Sequence, residues 1–354
     1  MNNRRFLKAE ELTRPTNCAE LPLVLEREEG STVTSSQDFC QAVSERRSEI
    51  REEVLKYGGV LFRGFPLDSA ESFQSAVEAL GYDPASDNPM DTSPRHNVAD
   101  RVFTSTDAPD AFPILAHNEN CFLNERPKMI SFFCETEPRQ DGETPIFDSR
   151  AAFGTLSDSV RDKLAERKVL YRRRMPKQRR PWAPNIMRTW QESFGTEDQD
   201  EIEEMTSHHG LTCKWHPGGR LLHTEVVVDP LPFHPDTNQQ CLNIQGFHRS
   251  SIMLDIEEVR SRQNGILNSL VKTGTGLMYQ IDSMPVTIRW GDGSPISHAD
   301  MVEMRRAIWS NSVLFRWRKG DFLLLDNFLT AHGRMNVVQP RRILTAFSDL
   351  VTIP

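Results

Sequence analysis

The sequence predicts a mainly β protein, a β-sandwich or barrel decorated with helices. From about Ile130 onward, short segments rich in β-branched and aromatic residues recur between turn residues, as strands of such folds do. Helical patterns interrupt these segments without the strict alternation of strand and helix that marks a parallel α/β fold. The predicted strands are 130–135, 144–149, 211–216, 221–229, 242–247, 286–290, 312–317, 321–327 and 342–351, and the predicted helices among them are 156–168, 198–207, 252–270 and 297–311.

Residues 1–90 mix helix and strand. Apolar side chains at helical spacing predict a helix over 36–57 that stops at Gly58-Gly59. A strand follows at 60–65, and a second amphipathic helix begins at Ser69. Because the 354 residues contain no repeat, low-complexity tract or long linker, we expect one domain over 1–354, with the elements of 1–90 packed on the β core.

Composition and charge exclude several classes of protein. A formal net charge of -8 argues against a nucleic-acid partner, which would need clustered Lys and Arg. No stretch approaches the roughly 20 apolar residues of a membrane span, and the start lacks the apolar core of a signal peptide, so we expect a cytoplasmic protein without a membrane partner. The six cysteines form no C-x-x-C pair, which favours reduced thiols over a zinc knuckle or disulfides.

A histidine and a glutamate two residues apart, His117 and Glu119, are candidate metal ligands. On an extended segment this spacing points both side chains to the same side. A second imidazole, His332, follows the apolar strand 321–327. Two histidines and one carboxylate leave three metal positions open, as non-haem iron oxygenases require, although the same ligands suit a catalytic zinc. Because H-x-E also occurs by chance in a chain of this length, its context decides.

Arg342 is the candidate for binding a carboxylate beside this metal. It begins the strand 342–351 shortly after His332, and a guanidinium there can form a bidentate pair with the distal carboxylate of oxoglutarate. The adjacent Arg341 is the competing candidate. Thr144, on the strand predicted at 144–149, could donate its hydroxyl to the same carboxylate. Taken alone, each of these would be an ordinary surface residue.

Basic residues cluster at 172–180, in the run RRRMPKQRR. Such a run suits an anionic group, for example a substrate carboxylate or a phosphopantetheine arm. A solvated basic loop accounts for the same residues, so both interpretations stay open.

Several segments, in order along the chain, resemble the taurine dioxygenase family of iron and 2-oxoglutarate oxygenases. Within that family they are similar to the branch of syringomycin-pathway and clavaminate-synthase-like hydroxylases. The matching segments cover most of the chain from about residue 55 onward, which makes them far more specific than any single motif. They are VLFRGF at 60–65, HNEN at 117–120, GETPIFDSR at 142–150, WQESFGTED at 190–198, GDGSPI at 291–296, GDFLLLDNFLTAHGR at 320–334 and PRRIL at 340–344.

The resemblance implies a double-stranded β-helix (jelly-roll) core and an oxygenase that uses Fe(II), 2-oxoglutarate and O₂. Glutamate at position 119 is the form found in clavaminate-synthase-like members. It favours hydroxylation, because a halogenating relative would carry a small residue there. Ala346 stands where taurine dioxygenase has a further arginine, which argues against taurine as the substrate. Carried over by position, the implied iron ligands are His117, Glu119 and His332, and the implied oxoglutarate-binding residues are Arg342 and Thr144.

The same branch implies an amino acid or amino-acid-derived substrate in natural-product biosynthesis, either free or tethered to a peptidyl carrier protein. The sequence leaves open the carbon attacked, the choice between hydroxylation, desaturation and epoxidation, and the oligomeric state. Two other classes also stay open: a zinc-dependent hydrolase with the same ligands, and a barrel that binds a ligand without turnover.

Overall fold

The computed structural model describes residues 3–85, 95–105, 114–178, 188–245, 273 and 286–353. None of the helices in these ranges combines the length and the apolar character that a membrane span requires. The helices are α1 (Ser36–Glu45), α2 (Arg47–Tyr57), α3 (Ala70–Ala79), α4 (Ser149–Thr155), α5 (Asp158–Arg167), α6 (Trp190–Phe194), α7 (Gln199–His208) and α8 (His298–Ser310), with a 3₁₀ turn at Pro217–Gly219. The strands are β1 (Asn3–Arg5), β2 (Leu23–Glu26), β3 (Gly59–Arg63), β4 (Pro84–Ala85), β5 (Asn97–Ala99), β6 (Val102–Thr104), β7 (Ile114–His117), β8 (Glu125–Thr136), β9 (Gln140–Asp141), β10 (Ile146–Asp148), β11 (Val169–Pro176), β12 (Thr212–Trp215), β13 (Leu221–Val228), β14 (Val286–Trp290), β15 (Ser312–Val313), β16 (Phe322–Asp326), β17 (Thr330–Arg334), β18 (Val337–Val338) and β19 (Arg342–Thr352).

Two sheets face each other across the central core. The large sheet runs β1-β2-β3-β16-β8-β19-β6-β5, with β4 on β19, and the small sheet runs β15-β10-β17-β7. Apolar side chains of both sheets share one buried cluster, among them Ile146 and Val313 from the small sheet and Ile130, Leu323 and Ile343 from the large one. This confirms the predicted mainly β fold with helical decoration and its double-stranded β-helix core.

A further layer covers the other face of the small sheet. It consists of the sheet β12-β13-β11-β14 and helices α4, α5, α7 and α8, which lie between β10 and β15 in sequence. Apolar side chains of this layer, including Tyr171, Trp290 and Met304, form one buried cluster with Phe147 and Ala331 of the small sheet. The small sheet is therefore packed against apolar side chains on both faces.

Residues 172–176 of the basic run do not form a solvated loop, because they belong to strand β11. Burial alternates along that strand, as it does where one face lies on a core. Arg173 is buried, while Arg172 lies on the other face and hydrogen bonds to its cross-strand partner Glu225. Arg179 and Arg180, at the end of the run, lie outside the described residues.

The helix predicted over 36–57 is two helices. The backbone leaves helical geometry at Arg46 (φ -113°, ψ 19°), where α1 ends and α2 begins. The predicted end of the helix at Gly58 is confirmed, because α2 ends on this residue at φ +79°, a conformation that favours glycine. The strand predicted at 242–247 is absent from its described part, 242–245, and the rest of it and the helix predicted at 252–270 lie outside the described residues.

A buried ion-pair network joins the N-terminal segment to the large sheet. The Arg63 guanidinium, 2% exposed, donates to Glu11 at 2.7 Å and to Asp321 at 2.6 Å. Arg5 donates to the same Glu11 carboxylate and to Glu26 on β2. Strand β2 itself pairs with β3 in parallel. We propose that the N-terminal elements and the β core fold as one domain.

Replacing Glu11 with glutamine is expected to destabilise the whole chain by about 3 kcal/mol at pH 7. Burial raises the pKa of Glu11, but hydrogen bonds from Arg5 and the Lys8 N–H and the charge of Arg63 outweigh burial and lower it to about 2. A lowered carboxyl pKa stabilises the folded state above about pH 4.5, and this contribution is lost as the pH falls towards 2.

Urea unfolding at pH 7 and pH 3 measures this effect. The difference in the free energy of unfolding between wild type and Glu11→Gln should be smaller at pH 3 than at pH 7. The control Glu28→Gln, at an exposed position, should have the stability of wild type at both pH values. A separate early unfolding transition confined to the N-terminal segment would contradict the single domain.

Candidate active site

The three predicted metal ligands lie together between the two sheets. His117 ends β7, and it pairs directly with His332 of the neighbouring β17. Their ring centroids are 4.3 Å apart, and both Nε2 atoms face Oε2 of Glu119, at 3.8 Å from His117 and 3.7 Å from His332. The candidate ligand atoms of all three side chains lie within 4.8 Å of one another. One ion can therefore contact all three from one side.

Asn327 joins the segment of Glu119 to the turn before His332. Its Oδ1 accepts the Glu119 backbone N–H at 2.7 Å, and its Nδ2 donates to the Glu119 carbonyl at 2.9 Å and the Pro127 carbonyl at 2.8 Å. The side chain is fully buried, so none of these groups can exchange its partner for water. Asn327 thus sets the position of one candidate ligand relative to another that is distant in sequence.

The turn itself is held by the neighbouring Asp326. Its Oδ1 accepts the backbone N–H groups of Phe328 at 2.8 Å and Leu329 at 3.1 Å. Its Oδ2 accepts a hydrogen bond at 2.9 Å from Nε2 of His234, and both side chains are fully buried. This buried pair makes the turn rigid just before β17 carries His332 into the site.

Replacing Asn327 with aspartate is expected to weaken metal binding about 10- to 100-fold. The variant keeps the size of the side chain but loses both N–H donors, and it places a carboxylate against two carbonyl oxygens. Isothermal titration with Mn(II) measures the change, and the same substitution at the exposed Asn17 is the control. Wild-type affinity in Asn327→Asp would show that this side chain does not position Glu119.

The ionisation of Glu119 and His332 suits a divalent cation. Burial raises the pKa of Glu119, but the charge of Arg95 and the facing imidazoles outweigh it, so the pKa is lower than usual and the carboxylate is ionised. Burial and the neighbouring His117 hold the pKa of His332 well below its usual range, which keeps that imidazole neutral. Nδ1 of His117 donates to the Leu115 carbonyl at 2.8 Å, which fixes the ring with Nε2 turned towards Glu119.

A small cleft, partly open to solvent, contains this group. Thr144 lies in its wall, where the hydroxyl accepts from Trp317 Nε1 at 3.1 Å and from Arg341 Nη2 at 3.3 Å. Arg341 also donates from Nε to the Gly142 carbonyl at 2.8 Å, which fixes the guanidinium in the wall. The cleft thus places a cation and a hydroxyl beside the two imidazoles and the carboxylate.

The expectation for Arg342 is not met by its position. Its side chain is 50% exposed and forms an ion pair with Glu135 at 2.6 Å. Arg342 is not among the described residues that line the cleft. The physical reason is the alternation of β19: Ile343 packs in the core between the sheets while Leu344 packs against the other face of the large sheet. Alternation therefore directs Arg341, and not Arg342, into the cleft.

Two residues that contact Glu119 were missed by reasoning from the sequence. Arg95 donates to the Glu119 carboxylate, and Asn327 holds its backbone. No spacing or motif singles out Arg95, which precedes β5. Asn327 stands inside the segment GDFLLLDNFLTAHGR, but the sequence does not show that its amide reaches back to another segment.

The likeness to known proteins extends over most of the chain. The family described as "Taurine catabolism dioxygenase TauD, TfdA family" matches residues 29–347. A clavaminate synthase-like protein of Arabidopsis thaliana is 30% identical over 314 residues, which cover 87% of this chain and 86% of the relative. The dapdiamide synthesis protein DdaC of Enterobacter agglomerans is 26% identical over 304 residues, which cover 85% of each chain.

Solved structures share the fold. Asparagine oxygenase, solved in complex with Fe(II), 2S,3S-3-hydroxyasparagine and succinate, matches with a TM-score of 0.53 at 14% identity, over 92% of this chain and 93% of that one. PvcB of Pseudomonas aeruginosa, an Fe, alpha-ketoglutarate dependent oxygenase, matches with a TM-score of 0.52 at 13% identity, over 100% of this chain and 98% of its own. On the length of the sequence match and the shared fold, this chain belongs to the TauD/TfdA family of Fe(II)- and 2-oxoglutarate-dependent oxygenases.

Proposed function

We propose that His117, Glu119 and His332 hold the iron of this oxygenase. The observation that carries the proposal is the convergence of two imidazoles and an ionised carboxylate within 4.8 Å, from two segments far apart in sequence. Nitrogen and oxygen donors of this kind suit Fe(II) and leave positions for a keto acid and O₂. When bound, the metal with oxoglutarate and O₂ supplies the oxidising power that breaks a C–H bond.

We assign the distal carboxylate of oxoglutarate to Arg341 and Thr144, in place of the Arg342 and Thr144 pair. Arg341 and Thr144 lie together in the wall of the cleft that holds the three candidate ligands. The guanidinium can donate two parallel N–H groups to a carboxylate, and the hydroxyl can add a third. These side chains orient the keto acid and take no part in breaking bonds.

The substrate in this proposal is an amino acid or an amino-acid-derived compound that is hydroxylated at an unactivated carbon. Support comes from the relatives: asparagine oxygenase was solved with a hydroxylated amino acid, and DdaC acts in dapdiamide synthesis. The substrate is either free or tethered to a peptidyl carrier protein. The six cysteines are free thiols, which suits the reducing cytoplasm as the place of reaction.

Family membership disfavours the zinc hydrolase and the non-catalytic barrel. Incubating the protein with Fe(II), oxoglutarate, ascorbate and a panel of free amino acids tests the proposed reaction directly. Succinate release that depends on one of them, with that compound gaining one oxygen atom by mass spectrometry, is the expected result. Product formed without oxoglutarate or under anaerobic conditions would contradict an oxygenase. Activity that appears only when the amino acid is loaded on a carrier protein would place the substrate on that carrier.

A further inference from the structure

A guanidinium lies directly against the acidic member of the candidate metal site. Nη2 of Arg95 is 3.1 Å from each carboxylate oxygen of Glu119, and both side chains are 5% exposed. The Arg95 guanidinium also lies over the Phe347 ring, 4.7 Å from its centroid. Phe347 belongs to β19, and the hairpin that follows Arg95, formed by β5 and β6, pairs with the same strand. The large sheet therefore fixes both the arginine and the ring on which it rests.

The two oxygens of Glu119 have different surroundings. Oε2 faces the Nε2 atoms of His117 and His332, so it is the oxygen directed at the proposed metal position. Nη2 of Arg95 lies 3.1 Å from both Oε1 and Oε2, so it sits between the two oxygens, where a metal that bound both of them would have to lie. A hydrogen bond between ions is among the stronger hydrogen bonds in proteins, and it is enough to hold a carboxylate in one orientation.

We propose that Arg95 is a positioning residue that limits Glu119 to one metal-binding oxygen. Two imidazoles and one carboxylate oxygen leave three positions open on a six-coordinate iron, and a chelating keto acid together with O₂ needs all three. A carboxylate that turned both oxygens to the metal would remove one of them. By occupying the position between the two oxygens, Arg95 preserves oxoglutarate binding at some expense of metal affinity. This inference rests on the proposed function.

Anaerobic titrations of Arg95→Gln test the inference with two readouts other than activity. Oxoglutarate binding is followed by the visible charge-transfer absorption of its Fe(II) complex, and metal binding by Mn(II) electron paramagnetic resonance. We expect the oxoglutarate Kd to rise about tenfold or more, while the Mn(II) Kd stays the same or falls. Arg95→Lys, which keeps a charged donor, should restore most of the oxoglutarate affinity.

The control is Arg101→Gln, which removes the same charge without touching Glu119. Arg101 is exposed and lies in the turn between β5 and β6. Unchanged oxoglutarate affinity in Arg95→Gln, or an equal loss in Arg101→Gln, would overturn the inference. If Arg95→Gln does not fold, Phe347→Leu replaces it, because it removes the ring that supports the guanidinium. The same pattern with smaller amplitude is then expected, and wild-type oxoglutarate affinity would overturn the inference. A wild-type protein that shows no such absorption would instead overturn the proposed function itself.

Discussion

Replacing Glu119 with alanine is expected to lower oxoglutarate turnover about a thousandfold or more and to abolish tight metal binding. A catalytic metal contributes several kcal/mol to lowering the barrier, and each 1.36 kcal/mol is a factor of ten in rate. In the described ranges, Glu119 is the acidic member of the one group of three side chains placed to hold an ion. Succinate formation and metal content after dialysis measure the two effects.

The same substitution at the exposed Glu197 is the matched control and should leave both quantities unchanged. Glu119→Ala also removes the partner of the buried Arg95, so the thermal midpoint must be measured with the activity. A variant that is folded, free of metal and inactive agrees with the assigned role. Normal turnover in folded Glu119→Ala would show that the ligand assignment is wrong.

Replacing Arg341 with methionine is expected to raise the KM for oxoglutarate about a hundredfold. Two charge-assisted hydrogen bonds of about 1.5 kcal/mol each are lost, and each 1.36 kcal/mol is a factor of ten. Methionine keeps an unbranched apolar stem against the wall of the cleft. Succinate release at varied oxoglutarate concentration gives the value.

Arg342→Met is the matched comparison, because the two arginines are neighbours in sequence and differ in the face of the strand they occupy. Since Arg342 is half exposed and paired with Glu135, its loss should change the KM for oxoglutarate by no more than about twofold. The reverse pattern, with a large effect at Arg342 and little at Arg341, would contradict the placement of the cofactor carboxylate.

The neighbouring arginines show where reasoning from the sequence reached its limit. The position after His332 predicted a guanidinium beside the candidate ligands, and Arg341 lies in the wall of the cleft that contains them. To choose between the two arginines, one must know which face of β19 each side chain occupies. Burial shows this, because Ile343 and Thr345 face the cleft while Leu344 and Ala346 face the opposite side of the sheet. The irregularity in pairing lies on β8, where Glu135 is the additional residue between the partners of Arg342 and Ile343, so alternation along β19 continues unbroken.

The candidate metal ligands could be found because each part of the set stands in a short, recognisable stretch of sequence. An H-x-E pair on the end of one strand and a histidine after another apolar strand are both visible in the sequence. The contacts that position these ligands join segments that are far apart in sequence. Asn327 hydrogen bonds to the backbone of Glu119, and Arg95 hydrogen bonds to its carboxylate from a segment without a recognisable pattern. Pairing between distant segments is decided by packing of the whole sheet, which no local pattern reports.

The basic run shows a further limit of local reasoning. Consecutive arginines favour a solvated loop by composition, yet Tyr171, Arg173 and Met175 alternate with half-buried neighbours on β11. The apolar partners on β13 and β14 bury one face of the strand, and Arg173 lies over the Phe122 ring at 5.0 Å. Tertiary packing therefore outweighs local composition at this segment.

Anomalous scattering from crystals loaded with Mn(II) and oxoglutarate tests the proposed metal site most directly. One strong peak within coordination distance of His117 Nε2, His332 Nε2 and a single oxygen of Glu119, with a keto acid extending to Arg341, is the expected result. A metal bound elsewhere, or a keto acid whose distal carboxylate lies away from Arg341 and Thr144, would contradict the proposed site.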